Sequence, residues 1–486
     1  MMLQAIRRWL MGLCLLLLPC AVFAWKGEAA AFTTHDTFSN KNWQSIGFQQ
    51  TYNTAPVVVT IPTTQGADSA TIRIRNVTTS GFENSPVETR DRDGPHVAMD
   101  SAYIAVEPGI HVLPDGNVIV AGFIDTSRVQ HGNGVSGATG WETVNFGYTF
   151  SAQPTVIAAI QTMNNEQGEG GSLPPYVSSI PWLTVAIDNI SSTQFNVALE
   201  RSQSNHGNVT QNERIGYIAM LNGANGAFID TQNRNIQYLS ETTPASIRGW
   251  DNNDYQHYYG VPFASAPLSL VTKNTRNNPD GGWLRRNGAT TASRINLRVD
   301  EDDDHDNERS INPTQAEAAG ILTFSRNFVA EFLPGFTVEK TSMVISDPVN
   351  GSNNPKAIPG AVIEYSLIVT NTGHDYSDSN QFEITDVLPA YTSLLVSDIP
   401  GGSGGPVRFT DGTTSSRTQW NFGGLSALAD SIDFSSDGSD YSYAPVPDGQ
   451  GADSAVTHIK LKPQGAFAAY PPAHPSATYS YRVIIR

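Results

Sequence analysis

Short apolar stretches with a two-residue period run along this chain, and across residues 43–231 no apolar stripe holds helical spacing over a dozen residues. Ala70-Thr-Ile-Arg-Ile-Arg-Asn76 alternates strictly, which puts Ile72 and Ile74 on one face and Thr71, Arg73 and Arg75 on the other. Leu183, Val185 and Ile187 alternate in the same way with Thr184, Ala186 and Asp188. Each pattern predicts a strand with one buried side. Pro56-Val-Val-Val-Thr-Ile61 is instead a continuous apolar run, closed by Pro62. Turn signals rich in Gly, Pro and Asp recur at 64–68, 92–95 and 113–116. Many short strands between frequent turns predict an all-β chain of tandem β-sandwich domains.

The strand pattern is also self-similar. Trp141-Glu-Thr-Val-Asn-Phe146, then Phe150 and Pro154, repeats the spacing of Trp43-Gln-Ser-Ile-Gly-Phe48, then Tyr52 and Pro56. Asn189 and Phe195 answer Asn76 and Phe82, Tyr217-Ile-Ala219 answers Tyr103-Ile-Ala105, and Phe228-Ile-Asp-Thr231 answers Phe123-Ile-Asp-Thr126. A third, diverged copy keeps Tyr259, Phe263 and Pro267 at the spacing of Phe146, Phe150 and Pro154, and its Trp283-Leu284 answers Trp182-Leu183. A period of about 100 residues means an array of like units. Beyond it, Ile363, Tyr365, Leu367 and Val369 form the apolar side of a long strand, and the alternating run Tyr479–Arg486 predicts a closing strand. The expected domains are 25–130, 131–240, 241–333 and 334–486, strung as a rod.

Residues 1–24 set Arg7 and Arg8 before an apolar run, Trp9 to Leu18, and end in Val22-Phe23-Ala24. That is the layout of a secretory signal peptide cleaved before Trp25. Pro19 stands where a lipoprotein site before Cys20 needs a small residue. Both cysteines, Cys14 and Cys20, lie in this leader, so an exported chain without disulfides is expected. The formal charge is −17, and loss of the two leader arginines makes it two units more negative. Nucleic acid and anionic lipid are therefore not expected as partners, because phosphate binding needs clustered Lys and Arg. No later stretch reaches the ~18 consecutive apolar residues of a transmembrane helix, so no membrane insertion is expected.

The first two copies resemble the H-type lectin domain through Phe48, Tyr52 and Pro56, through Phe146, Phe150 and Pro154, and through the closing aromatic-Ile-Ala steps at 103–105 and 217–219. That resemblance implies a six-stranded β-sandwich that binds sugars, often as a trimer. The stretch from Gly94-Pro-His-Val-Ala98 to Leu113-Pro-Asp-Gly116 is similar to segments of large exported proteins encoded with mannose-sensitive agglutinin pili in Gram-negative bacteria. Lys340, Pro359-Gly360, Tyr365, Asn371-Thr-Gly373 and Asp386-Val-Leu-Pro389 make the last domain resemble the bacterial surface repeat DUF11. This second resemblance implies an immunoglobulin-like module of the cell surface. The fold class expected is all-β, with three H-type lectin-like sandwiches and one immunoglobulin-like domain.

Two formal motif matches fail on context. Gly132-Asn-Gly134-Val-Ser-Gly137 spells GxGxxG but leads into a strand, so no helix N-terminus follows to hold a pyrophosphate. Gly401-Gly-Ser403-Gly-Gly405 spells GxSxG but lies in a flexible stretch between Pro400 and Pro406, where a nucleophile elbow needs strand, turn and helix. Sugar recognition wants an aromatic face and planar hydrogen-bonding groups. The candidates are Arg90, Asp91, Arg92, Asp93 and His96 in the first copy, Arg201, Asn205 and His206 in the second, and Trp283, Arg285 and Arg286 in the third. Their alternative role is as ordinary loop charges and, for Trp283, a core residue. The run Asp300-Glu-Asp-Asp-Asp-His-Asp306 offers Asp300, Asp302 and Asp304 as calcium ligands, or a solvated loop, since the central Gly of an EF-type loop is missing. No other cofactor is expected. Lys340 and Asn371, with Asp386 as the acid, could form an isopeptide brace, although Asn371 also reads as a turn residue.

These features point to an exported, non-catalytic, adhesin-like protein of the cell surface, carbohydrate-binding through its repeats. Its expected partners are a glycan or surface polysaccharide, cell-envelope proteins, or further copies of itself in a homo-oligomer. A ligand-free structural spacer of an envelope or pilus-associated assembly is the first alternative. A polysaccharide-active enzyme with a carboxylate pair that the sequence does not position is the second.

Overall fold

In a computed structural model, residues 25–486 are described apart from 90–94, 133–135, 167–178, 303–308, 333–334, 374–375, 378, 403 and 470–472. The expected signal peptide lies outside the described residues, as do parts of both rejected motifs. The described chain is all-β, with one 3₁₀ turn at Pro313–Gln315, and none of its helices is long and apolar enough to cross a membrane. It divides into two compact units, one spanning Trp25–Phe332 and the other Leu333–Arg486.

In the first unit, β1 (Trp25–Thr33), β2 (Gln44–Gly47), β3 (Val57–Thr60), β4 (Ala70–Arg75), β5 (Gly81–Glu88) and β6 (Asp100–Val106) open the chain. The second set is β7 (Gly109–Val112), β8 (Val118–Thr126), β9 (Val129–His131), β10 (Glu142–Asn145), β11 (Pro154–Ile160), β12 (Leu183–Asp188), β13 (Gln194–Arg201) and β14 (Glu213–Leu221). The third is β15 (Asn225–Ile229), β16 (Asn235–Thr242), β17 (Tyr255–Tyr258), β18 (Leu268–Lys273), β19 (Trp283–Arg286), β20 (Arg294–Asp300), β21 (Ala319–Phe324) and β22 (Phe328–Phe332).

Each copy is a sandwich of a three-stranded and a four-stranded sheet. The small sheets are β2-β5-β4, β10-β13-β12 and β17-β20-β19, with β9 added in parallel to β13. The large sheets are β22-β1-β6-β3, β7-β8-β14-β11 and β15-β16-β21-β18. The repeated aromatics are core residues: Phe48–Tyr52, Phe146–Phe150 and Tyr259–Phe263 pack edge-to-face, at 76°, 86° and 86°. The repeated Asn has a backbone cause. Asn76 and Asn189 sit at φ +49° and +50°, where Asn tolerates the left-handed turn, and Gly288 takes that place at +67° in the third copy.

The sandwiches close on one another instead of forming a rod. β3 packs on β14, β11 on β21 and β18 on β6, so the three large sheets follow one another in cyclic order. The outward faces of those sheets merge into one core that includes Val57, Val59, Ile157, Ile218, Leu270 and Ile321. A large sheet is thus covered on both sides, which explains the unbroken apolar run at Pro56. It also corrects the expected one-sided strands. Thr71, Arg73 and Thr184 are buried as well as their apolar neighbours, because the next copy lies over them.

The sheets also redraw the expected boundaries at 130 and 240. β7, β8 and β9 pair within the second sandwich, and β15 and β16 within the third, while the edge strand of the first sandwich is β22 from the far end of the unit. The two Phe-Ile-Asp-Thr segments fall on different strands of the equivalent hairpins, Phe123 on β8 and Phe228 on β15. Sequence likeness there is not structural equivalence.

The second unit holds β23 (Phe336–Ser346), β24 (Val362–Asn371), β25 (Ile384–Val387), β26 (Thr392–Leu395), β27 (Val407–Asp411), β28 (Ile432–Ser435), β29 (Ala452–Asp453), β30 (His458–Leu461) and β31 (Ser476–Ile485). One sheet runs β23-β24-β31-β26-β29, with β27 also on β31, and faces β25-β30-β28 across a core containing Leu367, Val369, Phe434, Tyr479 and Tyr481. The closing run is a central strand, paired with β24 along its length. Lys340 lies opposite Leu367 and Asn371 opposite Phe336, four residues along the ladder, or about 13 Å. That separation rules out a Lys340–Asn371 bond in this fold. Lys340 Nζ instead meets Asp386 Oδ1 at 2.7 Å between the two sheets, with the Tyr481 hydroxyl donating to Asp386 Oδ2 at 2.7 Å.

Candidate functional site

The loops at one end of the ring were the expected sugar site, and the structure spends most of their charges on holding the copies together. Arg285 is fully buried, donating from Nη1 to Asp300 Oδ2 at 2.6 Å and from Nε to the Thr63 carbonyl at 2.8 Å. Arg309 donates from Nε to Asp300 Oδ1 at 3.0 Å, so a cation meets each oxygen of Asp300. The Trp250 ring lies 5.1 Å from the Arg285 guanidinium and 4.1 Å from that of Arg309. Asp302 accepts from the hydroxyls of Ser202 and Ser204, both at 2.6 Å, and from the Ser204 N–H at 2.7 Å. Asp302 therefore ties the third copy to the second, and Asp300 pairs with two arginines of its own copy, so both of these proposed calcium ligands are engaged in the protein's own contacts. Among the described residues no group of three or more His, Cys, Asp or Glu is arranged to hold a metal ion. Asp304 lies outside the described residues, as do Arg90, Asp91, Arg92 and Asp93.

The remaining candidates are also engaged. Trp283 is buried against Trp182, ring centroids 4.6 Å apart, and donates Nε1–H to the Ala70 carbonyl at 3.0 Å. It is an inter-copy core residue and offers no stacking face. Buried Arg201 donates to the Ser136 and Gly207 carbonyls at 2.6 and 3.3 Å. His96 is buried with Nδ1 2.8 Å from the Val97 carbonyl, and burial, then the charge of Arg285, pushes its pKa down to about 4. Among the described candidates His206 alone is exposed, its Nδ1 2.8 Å from the Gln203 carbonyl. The loops contribute further links between copies: Arg73 pairs with Glu166, and Arg276 Nε donates to Glu200 Oε2 at 2.7 Å.

A roomier site lies elsewhere, at the junction of the first and third copies. A cleft of about 580 Å³ is lined by the end of β1, the start of β6 and residues 63–65 on one side, and by residues 266–269, Arg286 and residues 288–290 on the other. That volume is in the range of small-molecule sites. Phe32 and Pro267 supply apolar surface, and Thr33, Thr64, Gln65, Asp100 and Arg286 supply polar groups. The polar groups are held by one another and by backbone. Thr33 Oγ1 donates to Asp100 Oδ1 at 2.9 Å, Gln65 Nε2 donates to Asp100 Oδ2 at 3.0 Å, and Arg286 Nη2 donates to the Asp100 carbonyl at 2.6 Å. Two backbone bonds, Arg286 N–H to the Pro62 carbonyl and Thr64 N–H to the Arg286 carbonyl, both 3.0 Å, clamp the two copies below the cleft. Arg286 Nε is buried without a hydrogen-bond partner.

This arrangement is particular to one junction. Asp100 stands three residues before Tyr103, and the residues three before Tyr217 and Ile321 are Arg214 and Ala318. In the second copy Arg214 donates from Nε to Asp125 Oδ1 at 2.8 Å and from Nη2 to Asp125 Oδ2 at 2.9 Å, a pair that fills the corresponding place. The cleft residues come from five separated points of the chain, so no local spacing announced them. Arg286 was among the residues named from sequence; Thr33, Gln65 and Asp100 were not. The one available signal was Asp100 itself, an acid where the aligned copies carry Arg and Ala. A second cavity, of about 70 Å³, lies where β3, β11 and β18 meet, lined by Arg73, Lys273 and Trp283 among others. No family model matches the chain, and no curated protein or solved structure is significantly similar to it.

Proposed function

We propose that this is an exported, non-catalytic surface protein of adhesin type that binds carbohydrate in the cleft between its first and third copies. The observation that carries this reading is the cleft itself, where Phe32, Gln65, Asp100 and Arg286 combine an apolar ring with planar hydrogen-bonding groups. A sugar presents C–H faces and hydroxyls, which match that combination. The resemblance to H-type lectins and the leader-like first 24 residues support binding and export respectively. Asp100 is the single carboxylate among the cleft's lining residues, whereas glycoside hydrolysis takes two.

The test is a glycan array and titration calorimetry with the protein and with Asp100→Asn and Gln65→Ala. The expected result is a bound glycan class whose affinity drops at least tenfold in both variants. Binding by neither the protein nor its variants, with or without calcium, sinks the carbohydrate reading. A ligand-free spacer is the second reading, favoured by the way Arg214 and Asp125 fill the corresponding place in the second copy.

A further inference from the structure

We infer that the cleft between the first and third copies contains a built anchor for a primary carboxamide, supplied by the ligand. The ring repeats one contact at its junctions. Val58, Val156 and Ser269 occupy equivalent places on the edge strands β3, β11 and β18, paired with Ala105, Ala219 and Thr323. Five residues after each stand Thr63, Gln161 and Asn274. In the first junction the Val58 N–H donates to Gln161 Oε1 at 2.9 Å and Gln161 Nε2 donates to the Pro56 carbonyl at 3.2 Å. In the second, the Val156 N–H donates to Asn274 Oδ1 at 3.2 Å and Asn274 Nδ2 donates to the Val156 carbonyl at 2.6 Å. Each exposed strand edge is thus capped by a carboxamide from the next copy.

The cyclic order assigns the third cap to Thr63, facing β18. Thr63 has no amide, and its hydroxyl donates to Gln65 Oε1 at 3.0 Å. Ser269 therefore keeps an edge N–H with no side-chain cap, while the neighbouring Pro267 carbonyl accepts from Thr290 Oγ1 at 3.0 Å and has one lone pair left for a ligand N–H. Pro267, Ser269 and Thr63 all line the cleft. An uncapped edge amide in a cleft pairs with water until a ligand group replaces that water. A primary carboxamide offers C=O and N–H on one edge, as Gln161 and Asn274 demonstrate within this molecule. A trans secondary amide turns those groups to opposite sides, so an acetamido group reaches one partner only. The inference rests on this cleft being a ligand seat, and not on the ligand being a sugar.

The test uses ligand-observed NMR on the full exported chain with four probes: N-acetylglutamine methylamide and galacturonamide as carboxamides from peptide and sugar sources, N-acetylglutamate methylamide as a charged isostere, and galactose. The expected result is that at least one carboxamide binds, at least tenfold more tightly than the glutamate isostere, with the stronger arm naming the source. Thr63→Gln and the shorter Thr63→Asn place the missing cap within the chain, so each should abolish carboxamide binding and raise Tm. Carboxamide binding left unchanged in folded T63Q and T63N overturns the inference, as does equal binding of amide and acid. Galactose binding without carboxamide binding also overturns it and leaves the carbohydrate reading standing. Carboxamide binding without any sugar binding supports it and removes that reading.

Discussion

Trp25, the first residue of the ring-forming unit, stacks on Phe332, the last, with ring centroids 4.9 Å apart and planes 10° from parallel. They are backbone partners in the ladder that joins β1 to β22, so the ends of the unit close the ring together. In the other two sandwiches the equivalent strands, β7 with β8 and β15 with β16, are joined by short turns. Here the connection is noncovalent.

Replacing Trp25 or Phe332 by Ala should therefore cost about 3–5 kcal/mol, the range for a buried large aromatic. The loss should appear in the unfolding of the whole first unit, because the shared core makes it cooperative. Chemical denaturation followed by tryptophan fluorescence would check it; a loss below ~1 kcal/mol contradicts the closing role.

Two acid–arginine pairs of similar length should differ sharply. Asp300→Asn leaves the buried Arg285 and Arg309 without their counter-charge and should cost about 3–5 kcal/mol. Asp125→Asn breaks a pair that is half exposed on both sides and should cost less than ~1 kcal/mol. Millimolar calcium should leave the wild-type Tm unchanged, since both Asp300 oxygens are already taken. A calcium-dependent rise of several degrees would restore the metal reading.

Stability should be level between about pH 4.5 and 6.5 and decline on both sides. Burial, then the charge of Asp280, pushes Glu301 up to about 8; burial pushes Glu166 up to about 7 against the pull of Arg73. From about pH 4.5 upward the unfolded chain gives up these protons first, so the folded state loses stability as pH rises toward 8. His96 at about 4 and His111 at about 3, both lowered chiefly by burial, act in the opposite sense: their contribution is whole above 6.5 and is lost as pH falls. Between about pH 4.5 and 6.5 the two effects offset; above that window the carboxylates act alone, and below it the histidines do. A decline of roughly 1–2 kcal/mol from pH 6.5 to 8.5 is expected, and Glu301→Gln should reduce it. Urea titrations at stepped pH measure this, and an unchanged slope in E301Q would remove Glu301 as its source.

In the second unit, Asp386→Ala strands the Lys340 ammonium between two sheets and should cost about 3–5 kcal/mol. Intact mass should show no loss of ammonia, because Asn371 sits four ladder positions from Lys340 and holds the Gly335 and Gly373 N–H groups. A mass lower by one ammonia would contradict this register.

The strands, their turns and the three-fold repetition were legible in the residues, because alternation, left-handed Asn and edge-to-face aromatics are local requirements that each copy must meet. Tyr259, Phe263 and Pro267 revealed even the diverged copy. The arrangement of copies was not legible. A strand such as Ala70–Arg75 reads as half exposed until the next copy covers Thr71 and Arg73, and a hairpin such as Gly109–Thr126 reads as the end of one domain until it pairs with β14. The site suffered most from this. Arg201, Trp283, Arg285, Asp300 and Asp302 have the composition of a binding loop, yet burial turned Trp283, Arg285 and Asp302 into joints between copies and Arg201 and Asp300 into braces within their own. Thr63, an unremarked residue in the sequence, matters because Gln161 and Asn274 fill its place elsewhere in the ring. Local pattern specifies which segments become strands, since a strand's two faces are set by neighbours in sequence. Which face stays wet, and where an edge is left uncapped, depends on residues up to three hundred positions away that only the closed ring brings together.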